Sequence, residues 1–164
     1  MKHLWAPWRM TYIQKGIDDA ECLFCSLLAS DDGPENLILH RGEHAFVVLN
    51  RFPYSNGHTM VVPYVHEASL EGLAPQVLME LITFTQHSLI VLRETYHTDG
   101  FNIGGNIGEA AGAGVKEHVH MHIVPRWHGD TNFMATTAET RVIPEDLEVT
   151  YHSLRQRWQA TMAD

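Results

Sequence analysis

His118, His120 and His122 occupy every second position of the run Glu117-His-Val-His-Met-His-Ile-Val-Pro125, with Val119, Met121 and Ile123 in the gaps. Successive side chains of an extended strand point to opposite faces, so the run predicts one face of imidazoles and one face of core. At a rise of about 3.3 Å per residue, neighbouring imidazoles start roughly 6.6 Å apart, close enough to serve one substrate or one metal. Chance alternation in a chain with twelve histidines fits poorly with the small-residue loop before the run and the proline that closes it. Two chemical readings stay open at this point. Neutral imidazoles on one strand face can ligate zinc with a partner from elsewhere. Alternatively, an imidazole whose Nδ1 proton is held by an acceptor presents Nε2 as a nucleophile, while its neighbours donate to phosphate oxygens.

The rest of the chain limits what such a site can serve. A length of 164 residues with 45% apolar and 19% charged residues predicts one globular domain, 1–164, with a core of its own. The net charge of −9 argues against a broad electrostatic grip on nucleic acid or anionic lipid. A phosphate ligand must then be held locally, by imidazoles, backbone amides or helix N-termini. The N-terminal residues lack an apolar run of signal-peptide length, and no segment approaches the roughly 20 apolar residues of a membrane span, so a cytoplasmic protein is expected. Cys22 and Cys25 form a Cys-x-x-Cys pair, which in a reducing compartment points to metal or redox chemistry. The segment around it lacks the strand-then-helix setting of a thioredoxin-like motif, which favours metal.

Neither a repeat nor a linker divides the chain. Asp31-Asp-Gly-Pro34 is a turn; Asn36 to His40 and His44 to Asn50 read as hairpin strands around Arg41-Gly42-Glu43. After Pro53-Tyr-Ser-Asn-Gly57, a third strand runs from Thr59 to about Pro63 or Tyr64. Leu78, Leu81, Ile82, Thr85, Leu89, Leu92 and Tyr96 recur at helical spacing, predicting one long helix over Ala74 to Tyr96 with Pro75 in its first turn. Phe101 to Asn106 reads as a fourth strand, Gly108 to Gly114 as a loop, the histidine run as a fifth strand, and Arg126 to Ala138 as a loop. A last helix is expected from about Pro144 to Ala160. Strands with helices inserted give an α+β class.

His118-Val-His-Met-His-Ile-Val124 resembles the signature of the histidine triad (HIT) superfamily of nucleotide hydrolases and transferases. Phe46 to Pro53, Gly57-His-Thr-Met-Val-Val-Pro63 and His66 resemble that family's nucleotide-binding hairpin, and the likeness covers roughly Cys22 to Arg126. It implies the histidine triad fold, with an antiparallel meander sheet of about five strands, one long helix and a C-terminal helix. It also implies covalent chemistry: His120 attacks the α-phosphate, a nucleotidyl-histidine forms, and water or inorganic phosphate resolves it. His122 would contact phosphate oxygens, Asn50 the ribose hydroxyls, and Asn106 would lie near the scissile phosphate.

Better-known branches carry Gln and then Ser or Thr shortly before the first histidine; here Ala113 and Gly114 stand instead. Gly112, Ala113 and Gly114 would then meet phosphate through main-chain donors. With Trp127, Gly129-Asp-Thr-Asn-Phe133 and Leu4-Trp-Ala-Pro-Trp-Arg9, the chain looks like the bacterial branch that includes diadenosine tetraphosphate phosphorylases and hydrolases. Trp5 and Trp8 read as packing residues. Certain members hold a structural zinc, and the matching residues are Cys22, Cys25, His66 and His118, a closed tetrahedral set. His44 and His58 read as strand or turn residues. The resemblance further implies a homodimer joined edge to edge and a dinucleoside polyphosphate or related adenine nucleotide as substrate, with no organic cofactor. Competing readings are a nucleotide-binding scaffold with incidental catalysis and a zinc hydrolase using the three histidines as ligands.

Overall fold

The computed structural model describes residues 22–130 and 145–162. The expectations for Trp5, Trp8 and most of the loop after Arg126 fall outside those residues.

A five-stranded antiparallel sheet carries the molecule, in the order β1-β2-β3-β5-β4. Its strands are β1 (Ile38–Arg41), β2 (Ala45–Leu49), β3 (Thr59–Pro63), β4 (Gly100–Gly104) and β5 (Met121–Arg126). The expected meander holds for β1 to β3. The chain then crosses to the far edge for β4 and returns to seat β5 between β3 and β4. Among the described residues three α-helices join the sheet in an α+β fold: α1 (Leu23–Leu28), α2 (Pro75–Tyr96) and α3 (Leu147–Met162). α2 packs on β2, β3 and β5, and α3 packs on α2 and β1. Among the described residues no helix is long and apolar enough to cross a membrane.

Every residue of β2 and of β3 is buried. Alternation is absent there because both faces are covered, α2 lying on one and Phe24 of α1 meeting Phe46 on the other. The β1–β2 turn is held by α2: Glu80 accepts the amides of Glu43 at 3.0 Å and His44 at 2.5 Å. A Cβ on Gly42 would lie 2.4 Å from the Phe84 ring, so only glycine fits between turn and helix.

α2 begins with Pro75 in its first turn, where a missing N–H costs nothing. It ends at Tyr96 because His97 turns into the left-handed region at φ 50°. Its buried stripe is Val77, Leu81, Phe84, Thr85, Ser88, Val91 and Leu92. Ile82, expected in the core, is 59% exposed. Phe84 and Val91 set the stripe, so the buried face is rotated from the one marked by the leucines. The last helix starts at Leu147 rather than near Pro144, with the Asp146 carboxylate accepting the Glu148 amide at 2.9 Å, a side-chain cap that opens the helix here.

Trp158 of α3 fills the space between helices and sheet, stacked on His40 at 5.3 Å and meeting His87 edge-on at 4.5 Å. Burial lowers the pKa of both histidines. For His40, the nearby His87 and Arg155 reinforce that shift and Glu80 opposes it. For His87, a backbone hydrogen bond involving Trp158 and then Glu94 oppose it. The unfolded chain therefore binds more protons than the native one between the lowered values and the ordinary imidazole pKa of about 6.5. Their stabilising contribution is complete above that pH and is lost as pH falls below it. A melting temperature that drops from pH 7 to pH 5, and drops less in a His40→Gln/His87→Gln variant, is the expected result. Parallel pH curves for the two proteins would remove these histidines from the account.

Candidate active site and metal centre

β5 begins at Met121, so His118 and His120 precede the strand and only His122 lies on it. The Val119 amide bonds the Glu67 carbonyl at 2.7 Å, holding this lead-in segment extended against the loop after β3. The expected division into a chemical face and a core face needs correction. His118 is 0% and His120 5% exposed, whereas Met121 is only partly buried. The cause is α1: Phe24 places its ring 5.4 Å from His118 and 4.9 Å from His120, roofing the imidazoles. Phe24 escaped the sequence reading, although its place inside Cys22-Leu-Phe-Cys25 ties it to the same site.

The Cys-x-x-Cys pair reaches across the fold to two histidines. Cys22 Sγ lies 3.3 Å from His118 Nδ1, Cys25 Sγ 3.8 Å from the same nitrogen and 3.4 Å from His66 Nδ1. All four donor atoms fall within 4.8 Å of one another. Bonds of about 2.3 Å to sulfur and 2.0–2.1 Å to nitrogen at tetrahedral angles put such donors about 3.6 Å apart. The spacing and the closed two-thiol, two-imidazole set therefore fit zinc. His118 Nε2 lies 2.9 Å from the Pro63 carbonyl, so it carries the proton and leaves the Nδ1 lone pair facing the thiols, the outer-shell arrangement common to histidine ligands. Burial lowers the His118 pKa, which favours the neutral form a metal needs. These bonds take His118 out of a three-histidine zinc site, because its Nδ1 faces the cysteines.

His120 is oriented by its neighbour's backbone. Its Nδ1 donates to the His118 carbonyl at 2.9 Å, which leaves Nε2 with the lone pair. Burial lowers its pKa, and that hydrogen bond only partly opposes the shift. The ring is thus neutral near pH 7, with a fixed tautomer and a nucleophilic nitrogen.

His122 belongs to a chain of donors running the other way. The Tyr54 amide donates to His58 Nδ1 at 3.1 Å, and His58 Nε2 lies 2.9 Å from His122 Nδ1. An amide can only donate, so neutral His58 carries its proton on Nε2 and gives it to His122 Nδ1. Neutral His122 is then left with Nε2–H, a donor. Two rings 4.8 Å apart therefore present opposite ends: His120 a lone pair, His122 a proton. His58, read from sequence as a strand or turn residue, is fully buried and part of the site. Its place beside Thr59, paired with β5 through Thr59↔Ile123, brings it to His122.

Asn50 follows β2, and its side-chain oxygen accepts the Phe52 amide at 2.9 Å. With His58 it lines a small cavity that continues to Asn56, Glu145 and Thr150. The β4–β5 ladder ends at Gly104↔His122, and Asn106 follows two residues beyond it. A Cβ on Gly105 would stand 2.9 Å from the His120 carbonyl, so glycine lets this segment approach. Gly112 and Ala113 follow a short 3-10 turn, Glu109–Ala111. Their amides donate within the loop, to Glu109 and Gly108 carbonyls at 2.9 and 3.4 Å. For these two to meet phosphate they would have to exchange bonds; Gly114 is exposed.

Comparison with known proteins agrees with this geometry. The family model described as the HIT domain matches residues 33–129. The chain is similar to an AP-4-A phosphorylase of Mycobacterium tuberculosis, at 36% identity over 96% of this chain and 85% of the relative. Among solved structures it resembles a Zn-bound histidine triad family protein from Mycobacterium smegmatis, at 31% identity and TM-score 0.71, covering 88% of this chain and 98% of that one. It also resembles a histidine triad nucleotide-binding protein from Sulfolobus tokodaii, at 27% identity and TM-score 0.69, covering 85% and 93%.

Proposed function

The chain belongs to the histidine triad family, and from that premise we propose that it cleaves dinucleoside polyphosphates of the diadenosine tetraphosphate type and passes the nucleotidyl group to inorganic phosphate. The opposed tautomers of His120 and His122 carry this reading. Binding alone does not require a buried lone pair beside a fixed proton donor. The likeness to an AP-4-A phosphorylase along 96% of the chain supports the substrate class and the choice of phosphate as acceptor.

In this reading His120 Nε2 attacks the α-phosphorus, an N–P bond forms, and the P–O bond to the leaving nucleoside triphosphate breaks. The leaving phosphate departs as an anion and takes no proton. The His120 ring becomes cationic while attached, and the His118 carbonyl already accepting its Nδ1–H stabilises that charge. The His122 Nε2–H donates to a non-bridging oxygen as negative charge builds. Asn106 stands near the scissile phosphate, and Asn50 offers its carboxamide NH2 to the ribose hydroxyls. The loop over Gly112, Ala113 and Gly114 lies on the side of the departing phosphates, where Gly112 and Ala113 take part only by exchanging their bonds to the Glu109 and Gly108 carbonyls. An oxygen of inorganic phosphate then attacks the same phosphorus from the vacated side, breaking the N–P bond and releasing a nucleoside diphosphate.

Cys22, Cys25, His66 and His118 would hold a structural zinc, which would supply a cross-link and no step of the chemistry. A homodimer fits two features: β4 is an edge strand with Ile103 48% exposed, and α2 exposes Met79, Ile82 and Ile90.

Product analysis tests the function directly. Diadenosine tetraphosphate with phosphate should yield ADP and ATP, and omission of phosphate should stop turnover after the first nucleotidyl transfer. AMP and ATP formed equally well without phosphate would make the protein a hydrolase. No cleavage in either buffer would refute the activity.

A further inference from the structure

Glu145 lies far from the triad in sequence, and it gathers three polar side chains from three elements. Its Oε2 accepts the Tyr96 hydroxyl at 2.5 Å, the Thr150 hydroxyl at 2.6 Å and the Asn56 amide NH2 at 3.4 Å. Burial works against its charge, but these hydrogen bonds outweigh burial and hold the carboxyl below its ordinary range. Burial and then Glu145 itself push the Tyr96 phenol well above its usual value, so Tyr96 stays a donor. A short-range, charge-assisted cluster of this kind is strong and directional.

What the cluster grips is the turn that aims His58. Asn56 sits in the middle of residues 53–58 and is 9% exposed. The same turn is pinned by Ser55, whose hydroxyl donates to the Pro125 carbonyl at 2.8 Å. At Gly57, φ is 72° and a Cβ would fall 2.8 Å from Leu92. The turn thus touches α2, β5 and the start of α3, and only through its shape does the Tyr54 amide reach His58 Nδ1 four residues later. Asn50, His58, Asn56, Glu145 and Thr150 line one small cavity, which borders both the cluster and the site.

We propose that Glu145 is a positioning residue: by holding Asn56, Tyr96 and Thr150 together it fixes the turn over residues 53–58, keeps the Tyr54 amide on His58, and thereby sets the proton on His122 Nε2. Its link to catalysis rests on the function proposed above, but the tautomers themselves are measurable without substrate. Nitrogen-15 NMR of histidine-labelled full-length protein should show His58 and His122 as Nε2–H tautomers. In Glu145→Leu both rings should become tautomer mixtures, with kcat for dinucleotide cleavage down about ten- to a hundred-fold, the scale of a misplaced catalytic group, and KM little changed. Glu145→Gln keeps a carbonyl acceptor for Tyr96 and Thr150 and should preserve the tautomers and most of kcat.

Should Glu145→Leu not fold, Tyr96→Phe removes one donor and must show the same drift in smaller measure. A Glu145→Leu or Tyr96→Phe protein that melts earlier but keeps both rings as Nε2–H would overturn the proposal, as would altered tautomers with unchanged kcat. Wild-type protein inert toward dinucleoside polyphosphates, but with tautomers that shift on Glu145→Leu, would sink the proposed function while leaving Glu145 in this role.

Discussion

Replacing His120 with Asn is expected to reduce turnover by on the order of 10⁴-fold or more, the scale seen when a covalent nucleophile is removed. Nucleotide affinity should change little, because His120 contributes a reacting atom rather than a binding surface. Asn is smaller than His but keeps an amide that can donate to the His118 carbonyl, so the roof formed by Phe24 should survive. The parallel His122→Asn change removes one donor to the developing charge and should cost about 10²–10³-fold. Mass spectrometry of acid-sparing quenches should find a nucleotidyl group on wild-type His120 and none on His120→Asn. Near-normal turnover by His120→Asn would refute the nucleophile assignment.

The second large effect concerns Cys22, Cys25, His66 and His118, whose donor atoms lie within 4.8 Å of one another. One zinc per chain should appear in metal analysis, and a strong chelator should lower the melting temperature by about ten degrees or more. Structural zinc sites release apparent binding energies of about 10–16 kcal/mol in small domains; part of that is expected here, since a packed sheet shares the load. Cys25→Ser should reproduce the chelator's effect, and added zinc should rescue the chelated wild type but not the variant. A chelator that leaves the melting curve untouched would mean that the four residues form only a hydrogen-bonded cluster. A zinc hydrolase would instead lose activity at once with little change in melting, and the Nδ1 of His118 facing the cysteines already argues against it.

Sequence periodicity made much of this fold legible. The long helix ends within one residue of its expected bounds, and all five strands appear. Strand order was not legible, because return of β5 between β3 and β4 depends on which strand edges are free rather than on local pattern. The rotation of α2 was missed because leucines at helical spacing define two overlapping stripes, and Phe84 and Val91 decide between them. At the site, His118, His120 and His122 announced themselves by alternation, and Cys22 and Cys25 by spacing. His58, Phe24 and Glu145 did not, since each gains its role from a partner distant in the chain. A histidine beside a turn looks the same in sequence whether it faces water or a second histidine.

The late arrival of β5 has a bearing on how the molecule assembles. Strands β1 to β3 can pair in chain order as successive hairpins, but β3 must wait for β5, which lies beyond the whole of α2 and β4. Closing so long a segment carries a loop-entropy penalty that local contacts do not share, so this pairing is expected among the last to form. Met60↔His122 and Thr59↔Ile123 are contacts of that closing step. His58 and His122 therefore meet only when the sheet is complete, and in a chain caught partway through folding nothing sets the proton on His122.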